Sequence, residues 1–474
     1  MPELKLFNTL SRQTGAFKPQ RPGHVSLYTC GPTVYDSPHV GNWRTFVFYD
    51  TLVRALKANQ LEVQHVLNIT DVGHLTSDQD EGEDKLAQAA STQRKTAWEV
   101  AELYTAEFLA GLEQLNIIRP AHLPRATEFI DQQIAFVKIL EDKGFTYQID
   151  DGVYFDTSKS TAYGHLARLD PAKLKAGARV EFNPQKRNVS DFALWKLTPP
   201  GQKRDMEWGS PWGKGWPGWH LECSVMAAAL LGPTIDIHAG GIDHIPVHHT
   251  NEIAQSEAAH DGQPLARVWL HAQHLMVNDA KIAKSEGNGI TLADVADKGY
   301  DPLALRLMYL QSHYQTSANF SWDVLNAAQN RLQTLKNLAE LRWQPINAPS
   351  EDEAELIIRA QSGILAALGD NLNTPRALEV LADLIDQLLS GGISAASAET
   401  FAGLLQRLDE WLGLKLSDST PDIDDAAKQT IADRQAARQA GDFKRSDELR
   451  DQLAKKLKLE LNDTPFGPLW HRLA

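Results

Sequence analysis

The sequence predicts an α/β protein in which a parallel sheet is split by an insertion and followed by a bundle of helices. Three observations predict it. Residues 25–71 read as a short apolar strand (VSLYTC), a loop, an amphipathic helix and a second strand (VQHVLNITD), the order of a parallel βαβ unit. Residues 206–261 return to that strand, loop and helix character after a stretch of different composition, and they are dense in Trp, Gly and His. Residues 321–416 place apolar side chains almost wholly at helical spacing, as in LNAAQNRLQTLKNLAELRW and RALEVLADLIDQLLS, with short polar joins.

The first helix begins near Trp43 and carries Phe46, Val47, Leu52, Val53 and Leu56 at helical spacing, so His39, Gly41 and Asn42 of the stretch CGPTVYDSPHVGN stand at a helix start, which attracts anions. Parallel sheets bind ligands beyond the carboxyl ends of their strands, and Cys30 and Thr70 both fall there. The acidic run DQDEGEDK reads as a solvated loop, followed by a helical pattern through Trp98, Leu103, Phe108 and Leu112 to Asn116. Residues 119–205, with one helix, a hairpin-like YQIDDGVYFD and loops rich in Asn, Pro and Lys, read as an inserted subdomain. The crowding of Gly, Trp and His in residues 206–261 suits a ligand rim better than a bulk core. HLMVNDAKIAKSEGNGITLADV then reads as a hairpin and polar loop, and DPLALRLMYLQSHY as a helix start. SDSTPDIDD, residues 417–425, is polar and turn-prone, as linkers are. The tail, residues 426–474, holds ten Lys and Arg against seven Asp and Glu, and ends in a small helix and strand unit.

The 474 residues suffice for about three domains, and their ordinary apolar and charged fractions describe a globular protein. No segment approaches the roughly 18 uninterrupted apolar residues of a membrane span. MPELKLFNTL lacks a basic-then-apolar signal pattern, so a cytoplasmic location is expected. The formal charge of −14 argues against indiscriminate nucleic-acid binding, so any nucleic-acid partner must meet a local basic patch.

Two constellations carry chemistry. Cys30 and Cys223 offer soft thiolates, and His248 and Glu252, four residues apart on one helix face, could complete a four-ligand zinc site, with His249 as the rival imidazole and plain burial as the alternative use of the thiols. His39, Gly41 and Asn42, with Lys281, Lys284 and Ser285 in a glycine-ended loop, could clamp a nucleotide triphosphate from two sides.

PTVYDSPHVGN resembles the HIGH signature of class I aminoacyl-tRNA synthetases, and KIAKS followed by EGN resembles their KMSKS loop. NITDVGHL, GWHLECSVMA, DIHAGGIDHIPVHHTNEIAQSEA and the tail RQAARQAGDFKRSDELRDQL resemble the cysteinyl-tRNA synthetase family, along the whole chain and in the same order. The resemblance implies a Rossmann-type catalytic domain in two halves (residues 1–118 and 206–265) around a connective insertion (119–205), then a KMSKS-like loop and stem-contact region (266–320), a helical bundle (321–416) and a small anticodon-binding domain (426–474). It implies one zinc ion on Cys30, Cys223, His248 and Glu252, which would take the substrate sulfur as thiolate and so separate cysteine from serine. It places Thr70, Trp219 and His238 near the amino acid and Asp243 at the ATP ribose. Gly41 and Ser285 would lie at the nucleotide, His39 and Asn42 at its phosphates, and Lys281 and Lys284 would stabilise the transition state at phosphorus, with Mg²⁺ accompanying ATP. The implied partners are L-cysteine, ATP and tRNA-Cys, with a monomer expected, and Arg438, Phe443, Asp447, Arg450 and Asp463 match anticodon-reading positions. The pattern departs from the family at Ile282 and Ala283, where KMSKS has Met and Ser; Asn42 replaces the closing histidine, a frequent variant. Two other readings share parts of the pattern: a cysteine-adenylating ligase of the mycothiol type, which lacks the terminal module, and a non-catalytic tRNA-binding relative, whose only support is the altered KIAKS.

Overall fold

Strand β3 (His24–Thr29) is the hinge of the architecture. In this computed structural model, which describes residues 3–74, 84–169, 183–282, 289–346 and 352–473, it lies inside a four-stranded parallel sheet. A hairpin of β1 (Lys5–Asn8) and β2 (Gln13–Ala16) precedes it; helix α1 (Val40–Ala58) then leads to β4 (Glu62–Leu67) on one side of β3. On the other side lies β10 (Ile235–Gly241) and beyond it β11 (Ala266–Ala272), giving the order β11-β10-β3-β4. The chain therefore moves outward in opposite directions from the β3/β10 boundary. The loops leaving those two strands diverge there and open a crevice at the carboxyl edge, the usual ligand position of such sheets.

Helix α1 is buried almost all round, not along one stripe. Its apolar side chains pack on several sides: Trp43 stacks on Phe108 of α3 (Ala97–Gln114), with α2 (Lys85–Gln93) preceding. Its buried charges are matched, Arg54 by Asp50 at 2.6 Å, and Arg44 by the carbonyls of Gln273, His274 and Thr316 at 2.5–2.7 Å. Burying each large apolar side chain contributes about 1.5–3 kcal/mol, and α1 is consequently a fixed post beside the crevice.

The insertion contributes α4 (Ile130–Asp142) and a five-stranded antiparallel sheet of β5 (Thr146–Ile149), β6 (Gly152–Phe155), β7 (Phe192–Leu197), β8 (Trp208–Ser210) and β9 (Gly213–Pro217), in the order β5-β6-β7-β9-β8. From it the chain enters α5 (Trp219–Leu231), then β10, α6 (His248–Ala259) and β11. The hairpin expected before KIAKS forms between β12 (Leu275–Val277) and β13 (Ala280–Lys281), with Asn278 and Asp279 both at positive φ as a type I′ turn requires. These elements belong to one compact unit, residues Lys5–Leu292 and Tyr314–Ala318.

A second unit comprises Met1–Leu4, Ala293–His313 and Asn319–Ala474. It is built on α7 (Pro302–Leu310), α8 (Trp322–Glu340), α9 (Glu353–Gly369), α10 (Thr374–Gly391) and α11 (Ala398–Leu412), followed by α12 (Asp425–Gln439), α13 (Phe443–Leu457) and a hairpin of β14 (Leu459–Thr464) and β15 (Gly467–Arg472). The last four elements enclose a small core of Ile423, Ala427, Leu453, Leu459, Leu461 and Trp470. The stretch expected as a linker is tethered, since Arg342 donates to the carbonyls of Ser417 and Thr420 and the Trp343 indole donates to Thr420. Among the described residues no helix is long and apolar enough to cross a membrane.

Candidate active site

The crevice at the carboxyl edge holds a cavity of about 240 Å³ lined by Cys30, Gly31, His39, Asn42, Thr70, Trp219, Cys223, Asp243 and His248, among others. Each comes from the end of a strand or the start of a helix. Cys30 and Gly31 follow β3, and Thr70 follows β4 and is tied back by Thr70 N–H to the Pro32 carbonyl. Gly31 is obligatory: a Cβ there would sit 1.6 Å from the Asn68 carbonyl oxygen. Trp219 opens α5, Cys223 follows one turn later, and His248 opens α6 with Glu252 on the same face.

The metal-ligand set predicted from the sequence converges. Ligand atoms of Cys30, Cys223, His248 and Glu252 all lie within 4.8 Å of one another, and all four residues are buried. A second set, Cys30, His238, His249 and Glu252, meets the same criterion, so the rival His249 is also nearby. Three facts favour the first. His249 spends both ring nitrogens, Nε2 on Cys30 Sγ at 3.2 Å and Nδ1 on His271 at 2.8 Å. His248 spends Nδ1 on His220 at 3.0 Å, which directs its Nε2 inward. Three of the four residues of the first set line the cavity, leaving an open side for a substrate atom.

Glu252 Oε1 lies 2.9 Å from His248 Nε2 as a buried ion pair, so these two candidate ligand atoms stand side by side. Two thiolates, an imidazole and a carboxylate are a donor set that suits zinc. Burial drives the Cys30 thiol well above its ordinary range, while the hydrogen bond with Cys30 brings Cys223 down to about 7. Burial works against the charge on Glu252, but His238 and His248 overcome it and hold the carboxyl low. His248 is raised to about 10, with Glu252 and Cys223 outweighing the opposing effect of burial.

The start of α1, on the cavity's other side, is organised by a reciprocal cap. His39 Nδ1 accepts from Asn42 N–H at 3.2 Å, and Asn42 Oδ1 accepts from His39 N–H at 3.0 Å. A backbone N–H can only donate, so Nδ1 is the acceptor and the neutral ring carries its proton on Nε2, as a donor. Asn42 thus has a structural reason to close the signature. Part of the anion-attracting helix start is already committed, because Val40 N–H donates to the Ile290 carbonyl at 2.8 Å. The two signature-like segments meet here: a Cβ on Gly41 would lie 2.8 Å from Ile282 Cδ1, and His39 pairs with Thr291 in an isolated bridge. Lys281 ends β13 with its side chain exposed, and it does not line the cavity; Lys284 and Ser285 lie outside the described residues.

His238 stands one layer behind the cavity wall. It is fully buried, bonds Glu252 Oε2 at 2.9 Å and stacks on Trp269 at 4.6 Å, which makes it a support for Glu252 in this structure instead of a lining residue. Trp219 packs on His248 at 4.5 Å with one face toward the cavity. Sequence reasoning missed Tyr49, whose hydroxyl donates to the Cys30 carbonyl at 3.2 Å, and the polar group of Asn68, His74 and Glu222 around Thr70. A usable signal existed for Glu222, a carboxylate inside the otherwise apolar run LECSVMAAALL.

In the terminal module, Arg438 and Asp463 form an ion pair at 3.4 Å and Arg450 pairs with Asp447 at 3.1 Å, while Phe443 is 63% exposed at the start of α13. The buried Arg434, not singled out in the sequence, holds Asp463 through both guanidinium nitrogens.

A parallel sheet with this switch point, a rim carrying two buried cysteines and a capped signature helix is the architecture of a class I aminoacyl-tRNA synthetase. Residues 16–330 match the family model "tRNA synthetases class I (C) catalytic domain". Solved structures agree on the fold: methionyl-tRNA synthetase of Mycobacterium tuberculosis in complex with methionyl-adenylate (TM-score 0.56, 17% identity, covering 83% of this chain and 90% of that one), and LeuRS of Agrobacterium radiobacter K84 in its ternary complex with tRNA and LeuAMS (TM-score 0.61, 13% identity, 85% of each chain). The chain is 43% identical over 98% of its length to "Cysteine--tRNA ligase 1" of Burkholderia lata, 96% of which is covered, and 43% identical over 98% to "Cysteine--tRNA ligase" of Novosphingobium aromaticivorans, 97% covered. It therefore belongs to the cysteine–tRNA ligase family of class I aminoacyl-tRNA synthetases.

Proposed function

We propose that the chain joins L-cysteine to ATP, giving cysteinyl adenylate and pyrophosphate, and then passes the cysteinyl group to the terminal ribose of tRNA-Cys. The observation that carries this reading is the convergence of Cys30, Cys223, His248 and Glu252, three of them on the wall of the cavity that His39 and Asn42 also line. A zinc ion held by those four residues would supply selection of a thiolate over the nearly isosteric hydroxyl of serine. Thr70 and Trp219 enclose the amino acid, with His238 bracing Glu252 behind them, and Asp243 reaches the ribose.

His39 Nε2–H donates to the phosphates from a ring fixed by Asn42, and Gly41 leaves room for Ile282 of the partner loop. Lys281 and Lys284, with Ser285, meet charge developing on the pentavalent phosphorus; Mg²⁺ accompanies ATP as counter-ion. No protein nucleophile is required, and rate comes from positioning and charge stabilisation. Residues 426–474 read the anticodon through Arg438, Asp447, Arg450, Asp463 and the exposed Phe443, on a monomer in the cytoplasm. The domain limits follow the sequence reading, with 119–205 as the insertion and 321–416 as the bundle. Cysteine-dependent exchange of pyrophosphate into ATP by purified, zinc-loaded protein is the test; absence of exchange despite bound zinc overturns the reading.

A further inference from the structure

Thr70 is a hydroxyl on the cavity wall whose hydrogen-bond polarity can be worked out atom by atom. Gly31 N–H donates to one terminal atom of the Asn68 side chain at 2.9 Å, so that atom is the oxygen and the other is the amide nitrogen. That nitrogen lies 3.0 Å from Thr70 Oγ1 and can only donate, so Thr70 accepts there. The Thr70 proton must point elsewhere, and Glu222 Oε2 is 3.0 Å away. Glu222 is fully buried, and His74 Nε2 holds its other oxygen at 2.6 Å. The Thr70 backbone is spent as well, its N–H on the Pro32 carbonyl and its carbonyl on Val34 N–H. A hydroxyl has one proton and two lone pairs; the proton and one pair are taken, so Thr70 has a single lone pair left to offer a ligand.

We propose that Glu222, braced by His74, is a positioning residue that makes Thr70 an acceptor only, so that this point of the wall reads the ammonium group of the amino acid. The assignment rests on the reading of the cavity as the cysteine site. A carboxylate or a thiolate has no proton to give a lone pair, whereas an ammonium donates to it. In Glu222→Gln the side chain oxygen can stay on His74 while its amide donates to Thr70. Both lone pairs of Thr70 are then occupied, and its proton turns toward the substrate ammonium.

The test compares cysteine with β-mercaptopropionate, which has the same thiol and carboxylate and no amino group, in pyrophosphate exchange by the zinc-loaded enzyme. In Glu222→Gln the KM for cysteine should rise about tenfold or more, as loss of a hydrogen bond to a charged group implies. The Ki of β-mercaptopropionate and the KM for ATP should stay within about twofold of wild type on the same argument. Thr70→Val, which removes the hydroxyl without touching Glu222, should reproduce the split. An equal rise in both constants, or an unchanged KM for cysteine in a Glu222→Gln protein of normal zinc content, overturns the assignment. Loss of exchange in the wild-type protein would instead overturn the functional reading itself.

Discussion

The two ends of the parallel sheet each carry a cavity, and the larger is the less equipped. At the amino ends, a space of about 440 Å³ is lined by Gln20, Arg21, His24, Ser26, Glu62 and Asp236, among others. Its buried carboxylate, Asp236, is satisfied by Gln20 N–H, Ser26 N–H and the Ser26 hydroxyl at 2.7–2.9 Å, and His24 pairs with Glu62. At the carboxyl ends the space is about half as large, but behind its lining His238 Nδ1 and His220 Nε2 are buried without hydrogen-bond partners among the described residues. Unpaired buried polar atoms cost stability, about 1–3 kcal/mol each. Their concentration at one end is what separates a site prepared for a ligand from a surface hollow.

The comparison can be attacked from both ends. The largest effect is expected for Cys223→Ser, which keeps the shape and removes a thiolate: bound zinc should be lost and cysteine-dependent exchange should fall by roughly a thousandfold, about 4 kcal/mol of transition-state stabilisation. Metal analysis finding full zinc in that variant would refute the ligand assignment.

Between the two ends, His65 on β4 is buried against the Thr29 hydroxyl at 2.8 Å, and burial lowers its pKa to about 4. Its folded value lies below its unfolded one, so the unfolded chain binds the proton first. The contribution is whole above about pH 6.5 and lost as pH falls toward 4, a change of roughly 3 kcal/mol. Urea unfolding across that window should show a shallower pH slope in His65→Gln than in wild type.

At the amino end, Asp236→Asn leaves two backbone donors and a hydroxyl with a poorer partner. A stability loss of about 1–2 kcal/mol is expected with exchange kinetics within about twofold of wild type; a large loss of exchange with intact stability would erase the distinction between the ends. The smallest effect belongs to Arg450→Ala, whose exposed pair with Asp447 should contribute less than about 0.5 kcal/mol to thermal stability.

Much of the site was legible before the structure because its signals are local. The helix start at His39 followed from apolar spacing after a loop, and the pairing of His248 with Glu252 from their four-residue separation. The four candidate metal ligands could be grouped from residue type alone, but preferring that group needed the resemblance, since Cys30 and Cys223 are distant in sequence. The charged inner side of α1 was not legible: nothing local marks Arg44 and Arg54 as buried, and Arg44 finds a carbonyl partner 272 residues away. Glu222 and His74 escaped for the same reason, because a hydrogen bond across 148 residues leaves no periodicity. The tail offered charges without geometry, and only the fold revealed that Arg434 is the buried partner of Asp463.

The most direct test replaces zinc with cobalt(II) and follows the sulfur-to-metal charge-transfer absorption during titration with amino acids. A four-donor centre with its open side on the cavity predicts that L-cysteine intensifies the band as a third thiolate joins Cys30 and Cys223, and that L-serine leaves it unchanged. A band that does not respond to cysteine, in protein that still performs cysteine-dependent exchange, would contradict the account.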